Sequence, residues 1–288
     1  MKYDIDCFTM TILEDYMASM KIRNYSENTI RSYMSKIEFF FKTNKLPIDK
    51  IKSEDVFAWL KKNVFIKKPK TIELYIVALS RFFWFCLEEN YISKFPIKKK
   101  WYPKIPKALP KALNEYEFAR LRIQAEKELE LDRVLLEILY SSGCRCTEIA
   151  NLSINNVDFN KRTVYVLGKG HKWREVDFSI KCSLMLKNYL NTRNDNNQAL
   201  FLNRKGEKIG SSGIYSRIKK IGKKCDPPIK ISPHGLRHTF ATRMLSKGAP
   251  LVFIANELGH KNLNKTTIYA QVPTNELISK YNKLMGRI

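Results

Sequence analysis

The N-terminal third of the chain has the hydrophobic pattern of a helical bundle. Between Thr9 and Tyr91 apolar residues recur every three or four positions, which is the period of an amphipathic helix, and glycine is absent. In NYSENTIRSYMSKIEFFFKT, Ser26 is the expected N-cap. The apolar stripe that follows it consists of Ile30, Tyr33, Met34, Ile37, Phe40 and Phe41. Residues 1–93 are therefore predicted to form a domain of roughly four or five helices.

A basic, proline-rich segment follows the helical pattern. KFPIKKKWYPKIPKALPK contains seven lysines, four prolines and no acidic residue. Proline fixes the backbone angle φ and lacks an amide donor, so residues 94–111 are predicted to form an extended linker. Lysines without acidic partners favour a strap across a phosphate backbone, supported by Trp101 and Tyr102. A solvated basic spacer is the alternative.

The pattern becomes mixed in residues 112–288. NEYEFARLRIQAEK and LDRVLLEILYSSG have helical periodicity, and Gly143 is expected to end the second helix. NNVDFNKRTVYVLGKGHKWREVDFS alternates apolar and polar residues and predicts strands joined by turns at residues 160–161 and 168–170. Helical patterns predominate after residue 181, apart from a hairpin signal around ALFLNRKGEKI. The predicted fold is mainly α, with an α+β second domain that carries a small antiparallel β-sheet.

The charge of the chain points to a polyanionic partner. Its 52 Lys and Arg against 28 Asp and Glu give a net charge of +24. Such an excess opposes folding by self-repulsion and is typical of proteins that bind nucleic acid. A membrane surface is the weaker alternative, because the chain has no lipidation motif and no apolar run of about 18 residues. The N-terminus MKYDIDCFTM has acids where a signal peptide needs a basic start, so a cytoplasmic protein is expected. Binding to nucleic acid would associate it with the nucleoid.

The cysteines and histidines do not predict a metal site. The six cysteines include no C-x-x-C pair and are expected to be free thiols in a reducing compartment. His234 and His238 have the i, i+4 spacing of a helical metal site, but Gly235 and Leu236 stand where such a site needs a glutamate. Neither a metal nor a cofactor is predicted, and the sequence has no G-x-x-x-x-G-K-[ST] phosphate loop.

HGLRHTFAT places an arginine on a helix face that should be apolar. With residues 236–245 drawn as a helix, Arg237 falls in the middle of an apolar arc. The arc consists of Leu236, Phe240, Ala241, Met244 and Leu245. A buried guanidinium needs an anion, and Pro233 places His234 and Arg237 near a helix N-terminus, which also favours an anion. That anion is either a phosphate or a buried carboxylate.

Four further positions carry chemistry that their own surroundings leave ambiguous. Arg145 precedes Glu148 by three residues, a spacing that is also common in surface ion pairs. Lys169 lies between two glycines, where it can approach a ligand closely or be an exposed hairpin residue. His260 follows a glycine that is expected to end a helix, and Tyr269 is one of 14 tyrosines. None of the four identifies a function alone.

Taken together, these motifs resemble a known family. GCRCTE, GKG followed by HKWREV, HGLRHTFAT and LGHKNLNKTTIY occur in the order of the conserved boxes of the tyrosine recombinase (integrase) family. The resemblance covers residues 112–288, and residues 1–93 look like the family's SAM-like core-binding domain. In size the chain is most similar to the short Xer-type recombinases. It departs from the family at Cys146 and Thr147, where an aliphatic residue and a small one are more usual.

The resemblance implies strand exchange through a covalent 3′-phosphotyrosine, without a cofactor. Tyr269 would be the nucleophile and His234 its general base. The two arginines would hold the non-bridging phosphate oxygens, Lys169 would protonate the leaving 5′ oxygen, and His260 would hydrogen-bond the phosphate. The implied catalytic residues are Arg145, Lys169, His234, Arg237, His260 and Tyr269. His238 is expected to be structural.

The resemblance also implies the partners and the biological role. The first partner is double-stranded DNA with a specific recombination site. The chain would also form a homotetramer, in which the C-terminal tail, residues 274–288, docks on a neighbouring protomer rather than packing in cis. Accessory proteins are left open. The role would be chromosome dimer resolution, or integration or resolution of a mobile element in a prokaryote. The alternatives are a type IB topoisomerase-like enzyme, a catalytically inactive DNA-binding regulator and, with least support, a metal-dependent nuclease.

Overall fold

The computed structural model describes residues 5–44, 46–106, 112–168 and 172–259. The chain divides into two compact units, Met1–Lys107 and Ala108–Ile288. None of the described helices combines the length and the hydropathy that crossing a bilayer requires.

The first unit is a four-helix bundle, as the sequence predicts. Its helices are α1 (Cys7–Ile22), α2 (Glu27–Thr43), α3 (Ser53–Asn63) and α4 (Pro69–Glu88), with a short 3-10 helix at Ile48–Lys50. The Ser26 hydroxyl accepts a hydrogen bond from the Thr29 amide at 3.3 Å, which confirms the predicted N-cap. Pro69 begins α4, where its missing amide proton leaves no hydrogen bond unmade.

Aromatic side chains fill the core of the first unit. The α2 stripe is confirmed, because Ile30, Ile37 and Phe40 are buried and its remaining members are buried or packed against the core. The Phe40 ring meets the Trp59 ring of α3 edge to face, with centroids 4.9 Å apart. Phe82 of α4 is fully buried. The bundle is therefore held mainly by the burial of large aromatic surfaces.

The first unit extends beyond the predicted domain end at residue 93. In the predicted linker, Ile97 is buried in the bundle core, and the Trp101 ring lies 5.2 Å from the Phe57 ring. The Tyr102 and Ser80 hydroxyls are 2.9 Å apart and share a hydrogen bond. Residues 94–106 therefore pack onto the helices, because apolar residues are interspersed among the exposed lysines. The strap across a phosphate backbone stays a prediction.

The second unit packs seven helices and a small sheet in its described part. The helices are α5 (Glu115–Ala125), α6 (Glu130–Ser142), α7 (Cys146–Ala150), α8 (Ile180–Asn191), α9 (Ser211–Lys224), α10 (Pro233–Ser246) and α11 (Leu251–Leu258). Helix α6 is central, since it packs against α5, α8, α9 and α10 and is buried on most of its surface. As predicted, Gly143 ends α6; it adopts the left-handed conformation with φ of 62°. A Cβ at this position would overlap the Phe240 ring of α10.

The predicted antiparallel sheet is confirmed and has three strands in the described part of this unit. These are β1 (Val157–Asp158), β2 (Thr163–Leu167) and β3 (Trp173–Asp177), in the order β1-β2-β3. Val164 and Val166 of β2 and Val176 of β3 are buried, whereas Trp173 and Glu175 are exposed. The alternation places Arg174 on the inner face of the sheet. The predicted hairpin further along the chain contains an antiparallel bridge between residues 202 and 208.

Two aromatic residues on α4 allow a matched test of the first core. Phe82 is 0% exposed and Trp84 is 51% exposed. Phe82→Ala leaves a cavity in the core, so we expect the free energy of unfolding to fall by about 3–5 kcal/mol. Trp84→Ala loses its contact with Phe95 and is expected to lower it by about 1 kcal/mol. Urea unfolding followed by circular dichroism measures both, and equal losses would contradict this account of the core.

Candidate active site

Three of the six predicted site residues lie in the described part of the second unit. Arg145 precedes α7, and His234 and Arg237 belong to the first turns of α10. The other three, Lys169, His260 and Tyr269, lie outside the described residues. The geometry therefore concerns the two arginines, His234 and the side chains around them.

Arg237 is buried in the core, as the helical pattern predicts. It is 2% exposed. Its Nη1 donates a hydrogen bond to the carbonyl oxygen of Gly143 at 2.9 Å, and its Nη2 donates to that of Leu258. These carbonyls end α6 and α11, where the helix dipoles are negative. The charge is thus stabilised by the ends of two helices that are far apart in sequence.

Arg145 reaches the same end of α11. Its Nη2 donates to the carbonyl oxygen of Gly259 at 3.3 Å, next to the Leu258 carbonyl that Arg237 contacts. The Arg145 side chain is 33% exposed. The structure therefore brings the two predicted arginines together, one buried and one accessible to a ligand.

Glu148 holds Arg145 at both its main chain and its side chain. Glu148 Oε2 accepts from the Arg145 amide at 2.8 Å, and Oε1 accepts from Arg145 Nη1 at 2.7 Å. Burial alone would raise the pKa of Glu148, but hydrogen bonds from Arg174 and Arg145 outweigh it and lower the pKa. The Glu148 side chain is only 3% exposed, so the alternative of a surface ion pair is wrong.

His234 lies close enough to both arginines to feel their charges. It is in the first turn of α10, whose N-cap Ser232 accepts a hydrogen bond from the Gly235 amide at 3.2 Å. Partial burial lowers the pKa of His234, and the charges of Arg237 and Arg145 lower it further. His234 is therefore neutral at neutral pH and able to accept a proton.

His238 is a neighbour of His234 one turn further along α10. The two ring centroids are 4.2 Å apart. Burial lowers the pKa of His238 to about 4, with further contributions from His234 and Arg237. Among the residues that the structure describes, no group of three or more His, Cys, Asp or Glu side chains is arranged to bind a metal ion.

A basic groove adjoins His234. It is a cavity of about 700 Å³ whose lining includes Tyr215, Lys219, Lys223, Lys230 and His234. The first three lie four residues apart on one face of α9. Within the described ranges no acidic side chain pairs with these lysines, whereas the α9 lysines 220 and 224 both pair with Glu128. The groove is therefore suited to an anion that extends beyond the arginine pair.

Comparisons with known proteins show the family of the chain. Residues 111–276 match the model of the Phage integrase family, and residues 13–90 match that of the Phage integrase N-terminal SAM-like domain. The chain is 35% identical to tyrosine recombinase XerA of Pyrococcus horikoshii over 275 residues, which cover 92% of this chain and 90% of the relative. Tyrosine recombinase XerC of Staphylococcus aureus is 34% identical over 286 residues, with coverages of 94% and 95%. The chain belongs to the phage integrase family of tyrosine recombinases.

Solved structures of tyrosine recombinases share the fold. XerH site-specific recombinase, in a post-cleavage complex with palindromic difH substrate, aligns with a TM-score of 0.75 and 23% identity over 94% of this chain and 83% of that chain. A lambda integrase dimer bound to a COC′ core site aligns with a TM-score of 0.74 and 18% identity over 90% of this chain and 76% of that chain. The predicted family, fold class and enzyme class are confirmed.

Sequence reasoning missed two parts of the candidate site. Arg174 binds Glu148 from β3, and its signal was a charged residue at an inward position of an alternating strand. Lys219 and Lys223 line the groove beside His234, and their signal was an i, i+4 spacing on an amphipathic helix. Both signals gain meaning only from the neighbours that the fold supplies.

The lowered pKa of His238 predicts a pH dependence of the recombinase's stability. Because folding lowers this pKa from 6.5 to about 4, the unfolded chain binds the proton more tightly. The stability that His238 contributes is thus complete above about pH 6.5 and is lost as the pH falls towards 4. We expect His238→Gln to remove this part of the pH dependence. Urea unfolding at several pH values in this range tests it, and parallel curves for the two proteins would show that the pKa is not lowered.

Proposed function

We propose that this recombinase cuts and rejoins duplex DNA at a specific site through a covalent 3′-phosphotyrosyl intermediate on Tyr269. The observation that carries the proposal is the convergence of Arg145 and Arg237 at the end of α11, beside a neutral His234. In the sequence, Tyr269 follows Gly259 by ten residues. A doubly basic site next to a groove rich in lysine fits a phosphodiester and its flanking phosphates.

The proposed cleavage step exchanges one phosphoester bond for another. The Tyr269 oxygen attacks phosphorus and forms the phosphotyrosine, and the bond from phosphorus to the 5′ oxygen breaks. His234 accepts the tyrosine proton, and Lys169 gives a proton to the leaving 5′ oxygen. Rejoining is the reverse attack by a 5′ hydroxyl. Because the bond energy is conserved, the reaction requires no ATP, and because the arginines stabilise the charge on the phosphate, it requires no divalent cation.

The arginines are proposed to stabilise the charge that develops on the phosphate. Attack on phosphorus increases the negative charge on the non-bridging oxygens, and a planar guanidinium can donate two hydrogen bonds to such oxygens. Arg145 has accessible surface for this contact, and Arg237 contributes a charge in a desolvated site, where electrostatic interactions are stronger. His260 is proposed to hydrogen-bond the same phosphate.

The proposed assembly and biological role follow from the family. We propose that the recombinase acts as a homotetramer on two DNA sites, with its C-terminal tail docked on a neighbouring protomer. The role that we propose is chromosome dimer resolution, or integration or resolution of a mobile element.

A nicked suicide substrate tests the proposed chemistry. We expect wild type to form a covalent protein–DNA adduct and Tyr269→Phe to form none, because the phenol oxygen is the nucleophile. Arg237→Ala is expected to lower the rate of adduct formation by about 100- to 1000-fold, since it removes a positive charge that stabilises the transition state in a desolvated site. The reactions are run in EDTA, and gel electrophoresis under denaturing conditions measures the adduct.

The exposed Tyr116 provides the matched control, and Tyr116→Phe should form the adduct as wild type does. Melting temperature and DNA affinity show whether the Arg237 variant is folded. A wild-type protein that binds the site without forming an adduct would favour the inactive regulator, and adducts on DNA of any sequence would favour the topoisomerase-like enzyme.

Lysines of the basic groove allow a separate test of the DNA path. Lys219→Ala combined with Lys223→Ala removes two charges that we propose contact phosphates, so the slope of log affinity against log salt should decrease by about 2. Lys220→Ala with Lys224→Ala is the control on the same helix, and it should change the slope less because Glu128 already neutralises these lysines. Fluorescence anisotropy at several salt concentrations measures the slopes. Equal changes of slope in the two double variants would show that the DNA does not follow the basic groove.

A further inference from the structure

Arg174 of β3 lies at the centre of the interactions that hold the arginine pair. Its Nη1 and Nη2 donate to the two carboxylate oxygens of Glu148, each at 2.9 Å. Its Nε donates to the carbonyl oxygen of Glu257 in α11 at 3.1 Å. Each of the three guanidinium nitrogens therefore has a protein acceptor, and the side chain is only 15% exposed. This geometry is typical of a residue that fixes the positions of neighbouring side chains and main-chain groups.

The contact with Glu148 determines how Glu148 can hold Arg145. A carboxylate and a single guanidinium tend to form a bidentate pair. Here Arg174 occupies both oxygens of Glu148, and the Arg145 side chain shares only Oε1, through Nη1. An arginine side chain has five N–H donors, and the described bonds of Arg145 use two, to Glu148 and to Gly259. Because Arg174 binds both oxygens, Glu148 cannot form a bidentate pair with the Arg145 side chain. N–H donors of Arg145 are therefore left for a substrate.

Arg174 also contacts the end of α11, on the other side of Arg145. Gly259 adopts φ of 59°, and its carbonyl accepts from Arg145. A Cβ at Gly259 would lie 2.9 Å from Arg174 Nη1 and 3.0 Å from its Cζ. The guanidinium of Arg174 therefore packs directly against the turn that ends α11, which only glycine leaves open.

We propose that Arg174 is a positioning residue for DNA cleavage: through Glu148 and the end of α11 it orients the Arg145 guanidinium towards the scissile phosphate. The inference rests on the proposed function, because it assigns Arg174 a part in that reaction. Arg174 does not touch the substrate in this scheme. Its replacement should therefore affect the rate of the bound complex and leave the affinity for DNA nearly unchanged.

The test separates rate from binding. We measure the rate of adduct formation at saturating suicide substrate, and the DNA concentration that gives half saturation, for Arg174→Gln and Arg174→Lys. The rate should fall by about 100-fold in the glutamine variant, since a small misplacement of a clamping group has that effect. The lysine variant keeps the charge but not the bidentate geometry and should be intermediate. The half-saturating concentration should stay within about threefold of wild type for both.

Arg217 provides a control that is about as buried as Arg174 and also pairs with a buried carboxylate. Its side chain is 17% exposed and donates to the buried Asp132 at 2.7 Å, away from the arginine pair. Arg217→Gln should lower the melting temperature much as Arg174→Gln does, yet leave the cleavage rate within about threefold of wild type. Equal rate losses in the two variants would reduce Arg174 to a stabilising residue and overturn the inference.

A pair of glycines provides a second test that leaves Arg174 itself intact. Gly259 and Gly248 both have positive φ, but a Cβ at Gly248 has open space whereas one at Gly259 displaces Arg174. Gly259→Ala should slow cleavage at saturating DNA far more than Gly248→Ala, although both alanines strain the backbone. This pair decides the question if Arg174→Gln does not fold.

The outcomes distinguish the inference from the proposed function. A wild-type protein that forms no adduct overturns the proposed function, and the inference with it. A wild-type protein that forms the adduct, together with an Arg174→Gln variant that cleaves at the wild-type rate, overturns the inference alone. So does a variant whose loss lies entirely in DNA affinity.

Discussion

A guanidinium that is removed from water has to be met by hydrogen-bond acceptors, and the second unit supplies acceptors for Arg237 from the ends of two helices. The carbonyls of Gly143 and Leu258 end α6 and α11, and both accept from Arg237. Both helices therefore end at the Arg237 guanidinium. As a result, the residues that follow α6 and α11 also meet, and Arg145 donates to the Gly259 carbonyl. The burial of one arginine thus organises the whole described site.

A second group of contacts determines how much positive charge remains for a ligand. Glu148 is the carboxylate that binds both Arg145 and Arg174, and it is held ionised by these hydrogen bonds. Two guanidinium groups therefore share one carboxylate, a third, that of Arg237, binds main-chain carbonyls, and His234 beside them is neutral. This excess of positive charge favours an anionic ligand, and in the proposed function that ligand is a phosphodiester. The lysines of α9 that line the basic groove add positive charge further from the arginine pair.

Most of the fold follows from local patterns. The α2 stripe is buried and the β2–β3 alternation gives the observed faces, because periodicity determines which side chains share a face. The exception is the segment of residues 94–106. Its prolines predict an extended linker, but Ile97 and Trp101 find apolar surface on the bundle. Local composition describes the backbone of such a segment and cannot show what lies beside it.

By itself the sequence determined the helices and strands, the basic charge, the order of the family motifs and the apolar face on which Arg237 lies. Only the tertiary structure decided which acceptor meets each guanidinium. Arg174 and Glu148 are 26 residues apart, and Arg145 and Gly259 are 114 apart. Periodicity relates residues within one element, whereas contacts over such separations depend on how elements pack. For that reason the role of Glu148 as a buried, shared carboxylate was visible only in the folded chain.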